Sequence, residues 1–155
     1  TDKELVDVKS VLLKADETIT EAARNAGLKN EDGKIALAFN EKRELMVVDV
    51  VGTLDECRFT YQGVHVSKEI ARQYYKRTNW YLDLEEAKKT AEAKGVKDWK
   101  ALCKSQPPKL DQQLKLVISE MYMSAANEMT KHKLFDAPKL ANVIEEYKEY
   151  MGEKA

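Results

Sequence analysis

Scarcity narrows this sequence before any pattern does. Cys57 and Cys103 are the only thiols in 155 residues, too few to staple a disulfide scaffold, and a chain of this length buries enough surface not to need one. His65, between two valines, and His132 are the only imidazoles, so neither a histidine-rich metal site nor an evident Ser or Cys triad is written here, and no cofactor or metal is expected. The six glycines are scattered and form no phosphate-cradling loop. No apolar run approaches the roughly 18 residues of a membrane span, and the charged start TDKELVDV lacks the signature of a signal peptide. A single domain in a reducing, cytoplasmic setting is the expectation. A net charge of −1 argues against a general binder of polyanions.

Charge is nevertheless unevenly placed. From Ser67 to Lys104 ten Lys and Arg face six Asp and Glu, whereas residues 1–33 carry five against eight. The basic stretch opens KEIARQYYKRTNWY, with cations interleaved among aromatics. On a helix, Lys68, Arg72 and Lys76 share one face, Tyr75 lies beside them, and Ile70 and Tyr74 face a core. Arg77, Lys88, Lys89, Lys97 and Lys100 extend the basic surface. Mobile cations beside a π-face suit phosphates and stacked bases, so this reading assigns nucleic-acid contact to these residues.

Apolar periodicity supplies the architecture. Leu5, Val8, Leu12, Ala15, Ile19, Ala22 and Ala26 alternate three and four residues apart, a heptad seam on one helix that Gly27 stops. From Lys34 to Val66 the texture turns β-branched and aromatic: IALAF, LMVVDVV and CRFTYQGVHV, broken at Asn40–Glu44, Gly52–Glu56 and Gly63. This predicts a short antiparallel meander, with Met46, Val48 and Val50 on its core face. Beyond Ser67 everything reads as helix. Ser67 caps one helix, Asp83 with Glu86 opens the next, Gly95 ends it, and Pro107–Pro108 follow a short piece around Trp99. A long central helix spans Leu110 to Lys133, and a last one, capped by Asp136, carries Leu140, Val143, Ile144, Tyr147 and Met151. The fold class is α+β and predominantly α: an N-terminal helix (1–33), a β-meander (34–66), then a helical bundle (67–155).

Two short segments resemble known motifs. TITEAARNAGLK resembles the first helix and turn of a helix-turn-helix, through Ile19, Ala22, Ala23, Gly27 and Leu28. The motif implies a recognition helix directly after the turn, but KNEDGK follows, with Gly33 where an apolar packing residue belongs. MVVDVVGTLDE is similar to the first motif of the haloacid dehalogenase phosphatases, which implies Asp49 as nucleophile and Gly52–Thr53 as the turn. Val51 stands where that family carries its general acid, and an outward Asp before a Gly-Thr turn explains the same residues. Catalysis is therefore not expected. The sequence reads as a small non-catalytic binding protein, a nucleic-acid-contacting regulatory or accessory factor. The alternative is a protein-binding adaptor, inhibitor or assembly subunit using Leu5, Val8 and Leu12 and the methionines Met121, Met123 and Met129, and either permits a homodimer through the first helix.

Overall fold

A computed structural model describes residues 1–153. The fold is α+β and predominantly helical, in the order α1 (Asp2–Asn25), β1 (Lys29–Gly33), β2 (Ala36–Phe39), β3 (Leu45–Val48), β4 (Cys57–Tyr61), β5 (Val64–Val66), α2 (Glu69–Lys76), α3 (Asn79–Lys94), a 3-10 turn (Trp99–Leu102), α4 (Gln112–Thr130) and α5 (Leu140–Glu153). Thr1 and Glu4 form a reciprocal capping box at the start of α1, which satisfies backbone donors that a helix N-terminus leaves orphaned. Asp111 caps α4 by accepting from the amides of Gln113 and Leu114.

The strands form two sheets rather than one meander. β1, β4 and β5 make a three-stranded antiparallel sheet with β4 central, and β2 pairs β3 in a separate ribbon. β1 is the element that periodicity hides. Its sequence is KNEDG, with none of the β-branched or aromatic residues that mark strands, and pairing with β4 is what makes it one. Gln62 and Gly63 both adopt positive φ and close the tight turn between β4 and β5.

The core joins the C-terminal half of α1 and β4 to α4 and α5. Ile19, Ala23, Leu28, Phe59, Val66, Ile70, Leu114, Val117, Met121, Ala125, Leu140 and Ile144 are buried in one cluster. Gly33 has a steric role: a Cβ there would lie 2.6 Å from the Cys57 sulfur, so a side chain would require that buried thiol to move.

Several local expectations change. Met46 and Val50 are exposed and Val48 only half-buried, because among the described residues nothing packs on that ribbon as the core packs on β4. Asp83 does not cap α3, which begins at Asn79; it lies within the helix and accepts from the Ser105 hydroxyl. Asp136 is not the cap of α5 either, but pairs with Lys133 at 2.9 Å. Glu128, on α4, accepts instead from the Leu140 amide at 2.7 Å, so tertiary packing provides what local sequence was expected to provide. Among the described residues no helix is long and apolar enough to cross a membrane.

Candidate functional site

The connection between β3 and β4 carries Asp49, Thr53, Asp55 and Glu56, and Arg58 follows directly on β4. Leaving β3, the chain enters the left-handed region at Asp49 (φ 70°), where the carboxylate accepts from the next amide, that of Val50, at 2.8 Å. A non-glycine residue in that region costs about 1–3 kcal/mol unless its surroundings hold it there, a feature frequent at functional sites. Gly52 follows at φ 73°, and a Cβ on it would approach Ile19 Cγ1 of α1 to 3.2 Å, so the loop lies directly against that helix. The Thr53 carbonyl then accepts from the amides of Glu56 and Cys57, turning the chain into β4.

Two long-range contacts fix this loop. Asp55 accepts a 2.7 Å hydrogen bond from the Tyr122 hydroxyl of α4, and the Lys68 amide donates to the Leu54 carbonyl at 3.4 Å, which ties the loop to the start of α2. Burial, then the adjacent Asp55 carboxylate, pushes the Tyr122 phenol well above its ordinary ionisation range. Unfolded tyrosine ionises near pH 10.0, so the stability linked to a protonated Tyr122 is complete below that value and lost as pH rises above it. Urea midpoints should therefore fall as pH rises from about 10 upward, and Tyr122→Phe should flatten that fall; an unchanged slope in the variant would assign the effect to other groups.

An ionic surface flanks the loop. Arg58 on β4 grips Asp32 on β1 through two guanidinium nitrogens, and this bonding holds the Asp32 carboxyl below its usual range. Beside it, hydrogen bonds from Lys29 and Thr60 lower Glu31. Behind the loop, against α4, lies an apolar cavity of 370 Å³ whose walls include Leu54, Tyr122, Met123, Met129 and Phe135. Met123 and Met129 thus line a cleft while Met121 is buried in the core, so the three do not form one methionine-rich surface.

The basic residues singled out from sequence divide into different environments. Burial works against ionisation of Glu69, but hydrogen bonds from Lys76, Arg72 and Gln73 outweigh it and lower its pKa, so Arg72 and Lys76 are both engaged by one carboxylate. Tyr75 makes edge contacts with Tyr74 and Trp80 at 5.3 and 5.4 Å. Lys88 pairs with Glu85, and Lys88 and Lys100 lie over the Trp99 ring. Arg77, Lys89 and Lys97 are exposed along α2, α3 and the segment after it. Lys68, like Arg77, Lys89 and Lys97, is exposed and in no ion pair among the described residues; what distinguishes it is its place where α2 meets the loop, with its amide on the Leu54 carbonyl. Of the partner-binding residues expected on α1, Leu5 and Leu12 are exposed and Val8 is half-buried.

Sequence reasoning drew Asp49, Gly52 and Thr53 from the phosphatase resemblance and missed Asp32, Asp55, Arg58 and Tyr122. The last four are isolated polar residues on separate elements, and only the fold pairs Asp32 with Arg58 and Asp55 with Tyr122.

Comparison with known proteins gives the surface its context. A family model described as SAICAR synthetase matches residues 1–92. A protein of Archaeoglobus fulgidus, provisionally named a phosphoribosylaminoimidazole-succinocarboxamide synthase, is 43% identical over 151 residues, covering 97% of this chain and 44% of its own length. The Thermoplasma acidophilum protein of that name is 30% identical over 140 residues, covering 86% of this chain and again 44% of its own. The chain therefore spans under half the length of these relatives. Biosynthetic enzymes as relatives overturn the expectation of a non-catalytic protein, whether a nucleic-acid-contacting regulator or an adaptor. With the family model covering 92 of its 155 residues, the chain belongs to the SAICAR synthetase family.

Proposed function

We propose that this chain forms part of the active centre of a phosphoribosylaminoimidazole-succinocarboxamide synthase, with the Asp49–Glu56 loop and the start of α2 in contact with the reactants. One observation carries the reading: the family match over residues 1–92 contains the loop that bears Asp49 and Asp55, the start of α2 at Lys68 that is bonded to this loop through the Leu54 carbonyl, and the Asp32–Arg58 pair on the strands next to it.

The name of the relatives' product defines the chemistry the site has to meet. A succinocarboxamide disconnects at its amide into a carboxylic acid, here on the imidazole, and the amine of aspartate. Forming that bond from a free acid in water is uphill, so the acid must first be activated by an energy-rich phosphate donor. Phosphate and carboxylates make the reactants strongly anionic, and Lys68 supplies a cation that no carboxylate of the described fold has claimed. Asp55, oriented by the Tyr122 hydroxyl, holds the incoming ammonium and takes its proton as the amine attacks the acyl phosphate carbonyl, whose C–O bond breaks to release inorganic phosphate. Asp49 is fixed by its left-handed backbone at the opposite end of the loop, where it sets the charge balance. The reading places the protein in the cytoplasm, in keeping with two unpaired thiols.

The test is product formation from the imidazole carboxylic acid ribotide, aspartate and a nucleoside triphosphate, followed by mass spectrometry. It is run on the chain alone and together with the part of the A. fulgidus relative that lies outside the match. Product that falls sharply with Asp55→Asn supports the reading. No product in either form, or undiminished product from that variant, defeats it.

A further inference from the structure

The heptad stripe of α1 changes environment along its length. Leu5, Leu12, Ile19 and Ala26 follow one another at seven-residue intervals, and their exposures are 68%, 39%, 7% and 3%. One apolar line is thus core at its C-terminal end and uncovered at its N-terminal end. Leu13, also exposed, widens the uncovered part, and a cleft of 200 Å³ between Leu12, Ile19 and Ile35 opens where the line leaves the core.

The β2–β3 ribbon has the same property in a stronger form. Its two strands read ALAF and LMVV, eight apolar residues of which none is buried. Cross-strand pairs put Phe39 with Leu45 and Leu37 with Val47 on one face, and Ala38 with Met46 and Ala36 with Val48 on the other. Strands apolar on both faces are normally covered on both, and a lone two-stranded ribbon is at best marginally stable in water. No third strand pairs with it among the described residues. The ribbon's two ends also touch the helix: Arg43, at the ribbon's turn, pairs with Glu4 near the start of α1, and Gly52, four residues beyond β3, abuts Ile19 in its C-terminal half.

We infer that the N-terminal half of α1 and the β2–β3 ribbon form one docking face, and that its occupant is polypeptide equivalent to the part of the synthase relatives outside the match. Those relatives share 97% and 86% of this chain yet continue for more than half their own length. The additional polypeptide covers the Leu5–Leu12 stripe and extends the ribbon with a strand of its own, adding backbone hydrogen bonds at an edge and side-chain cover on both faces. The inference rests on family membership and not on the proposed activity.

The test is to co-express the 155-residue chain with a tagged polypeptide comprising the unmatched part of the A. fulgidus relative. The expected result is a 1:1 complex in which the amides of Ala36–Phe39 and Leu45–Val48 exchange at least about tenfold more slowly than in the free chain. Leu5→Glu with Leu12→Glu, and separately Val47→Lys, should weaken the complex about 100-fold or more while the circular dichroism of the free chain is unchanged. Leu116→Glu, at an exposed apolar position on α4, should leave it intact. No complex, a complex indifferent to the α1 and ribbon variants, or a homodimer of the chain abolished by those variants would each overturn the inference. A complex that forms normally but makes no product would count against the activity alone.

Discussion

Lys68→Met should lower synthase turnover about 100- to 1000-fold, while Arg72→Met and Lys76→Met each lower it less than about tenfold. Removing one preorganised charged contact to a reacting group costs about 2.7–4 kcal/mol of transition-state stabilisation, which sets the first figure. The second follows from Glu69. That carboxylate already accepts from both Arg72 and Lys76, at 3.3 and 3.2 Å, so a substrate would have to win either cation away from a partly buried partner. Lys68 has no such competitor among the described residues, and its amide is bonded to the loop that carries Asp49 and Asp55. The stability effects should run the other way. Lys68→Met is expected to move the thermal midpoint by no more than a degree or two, as exposed substitutions usually do, whereas losing both Arg72 and Lys76 leaves a partly buried carboxylate without its counter-ions. Comparing kcat with the thermal midpoint for the three variants decides the matter. Equal losses of turnover would mean that the whole helix face, and not Lys68 alone, meets the reactants.

That separation marks how far the sequence could be read. Helical spacing places Lys68, Arg72 and Lys76 together and cannot show that Glu69, within the same turns, engages two of them. Long apolar stripes were legible: α1, α4 and α5 lie within a few residues of their expected positions, and Ile70 faces the core as its spacing requires. β1 was not legible, because KNEDG becomes a strand only by pairing with β4. The single meander failed for a related reason: periodicity identifies extended segments but not their partners, and β4 pairs with β1 and β5, leaving β2 and β3 to each other. The enzymatic character of the family was hidden most deeply. Asp32, Asp49, Asp55, Arg58 and Lys68 span 37 positions without a fixed short spacing, and Tyr122 stands 67 residues from the Asp55 it orients. The phosphatase resemblance drew attention to the loop that the proposed function uses, while implying a different chemistry.

Phe59→Ala should be among the most damaging substitutions to stability, at about 3–5 kcal/mol. Phe59 is fully buried on β4, the central strand of its sheet, where it lies opposite Asn30 on β1 and Val66 on β5 in the hydrophobic cluster that reaches α1, α4 and α5. Its removal leaves a void that several elements would have to close together, and domains of this size stand only about 5–15 kcal/mol above unfolding. At about 2–4 °C per kcal/mol the thermal midpoint should fall by about 10 °C. Met46→Ala is the instructive comparison, because hydrophobic alternation assigns Met46 to the core as well. Met46 is 41% exposed in the isolated chain, so its truncation should cost less than about 1 kcal/mol there. If the ribbon is a docking face, the same substitution becomes costly once the additional polypeptide covers it, and it should weaken the complex while leaving the free chain's midpoint unchanged. Phe59→Ala should instead destabilise free and bound forms alike, since its neighbours all belong to this chain. A Met46→Ala variant that melts early on its own would show that the ribbon is already packed as core, and would remove the reason to look for something that covers it.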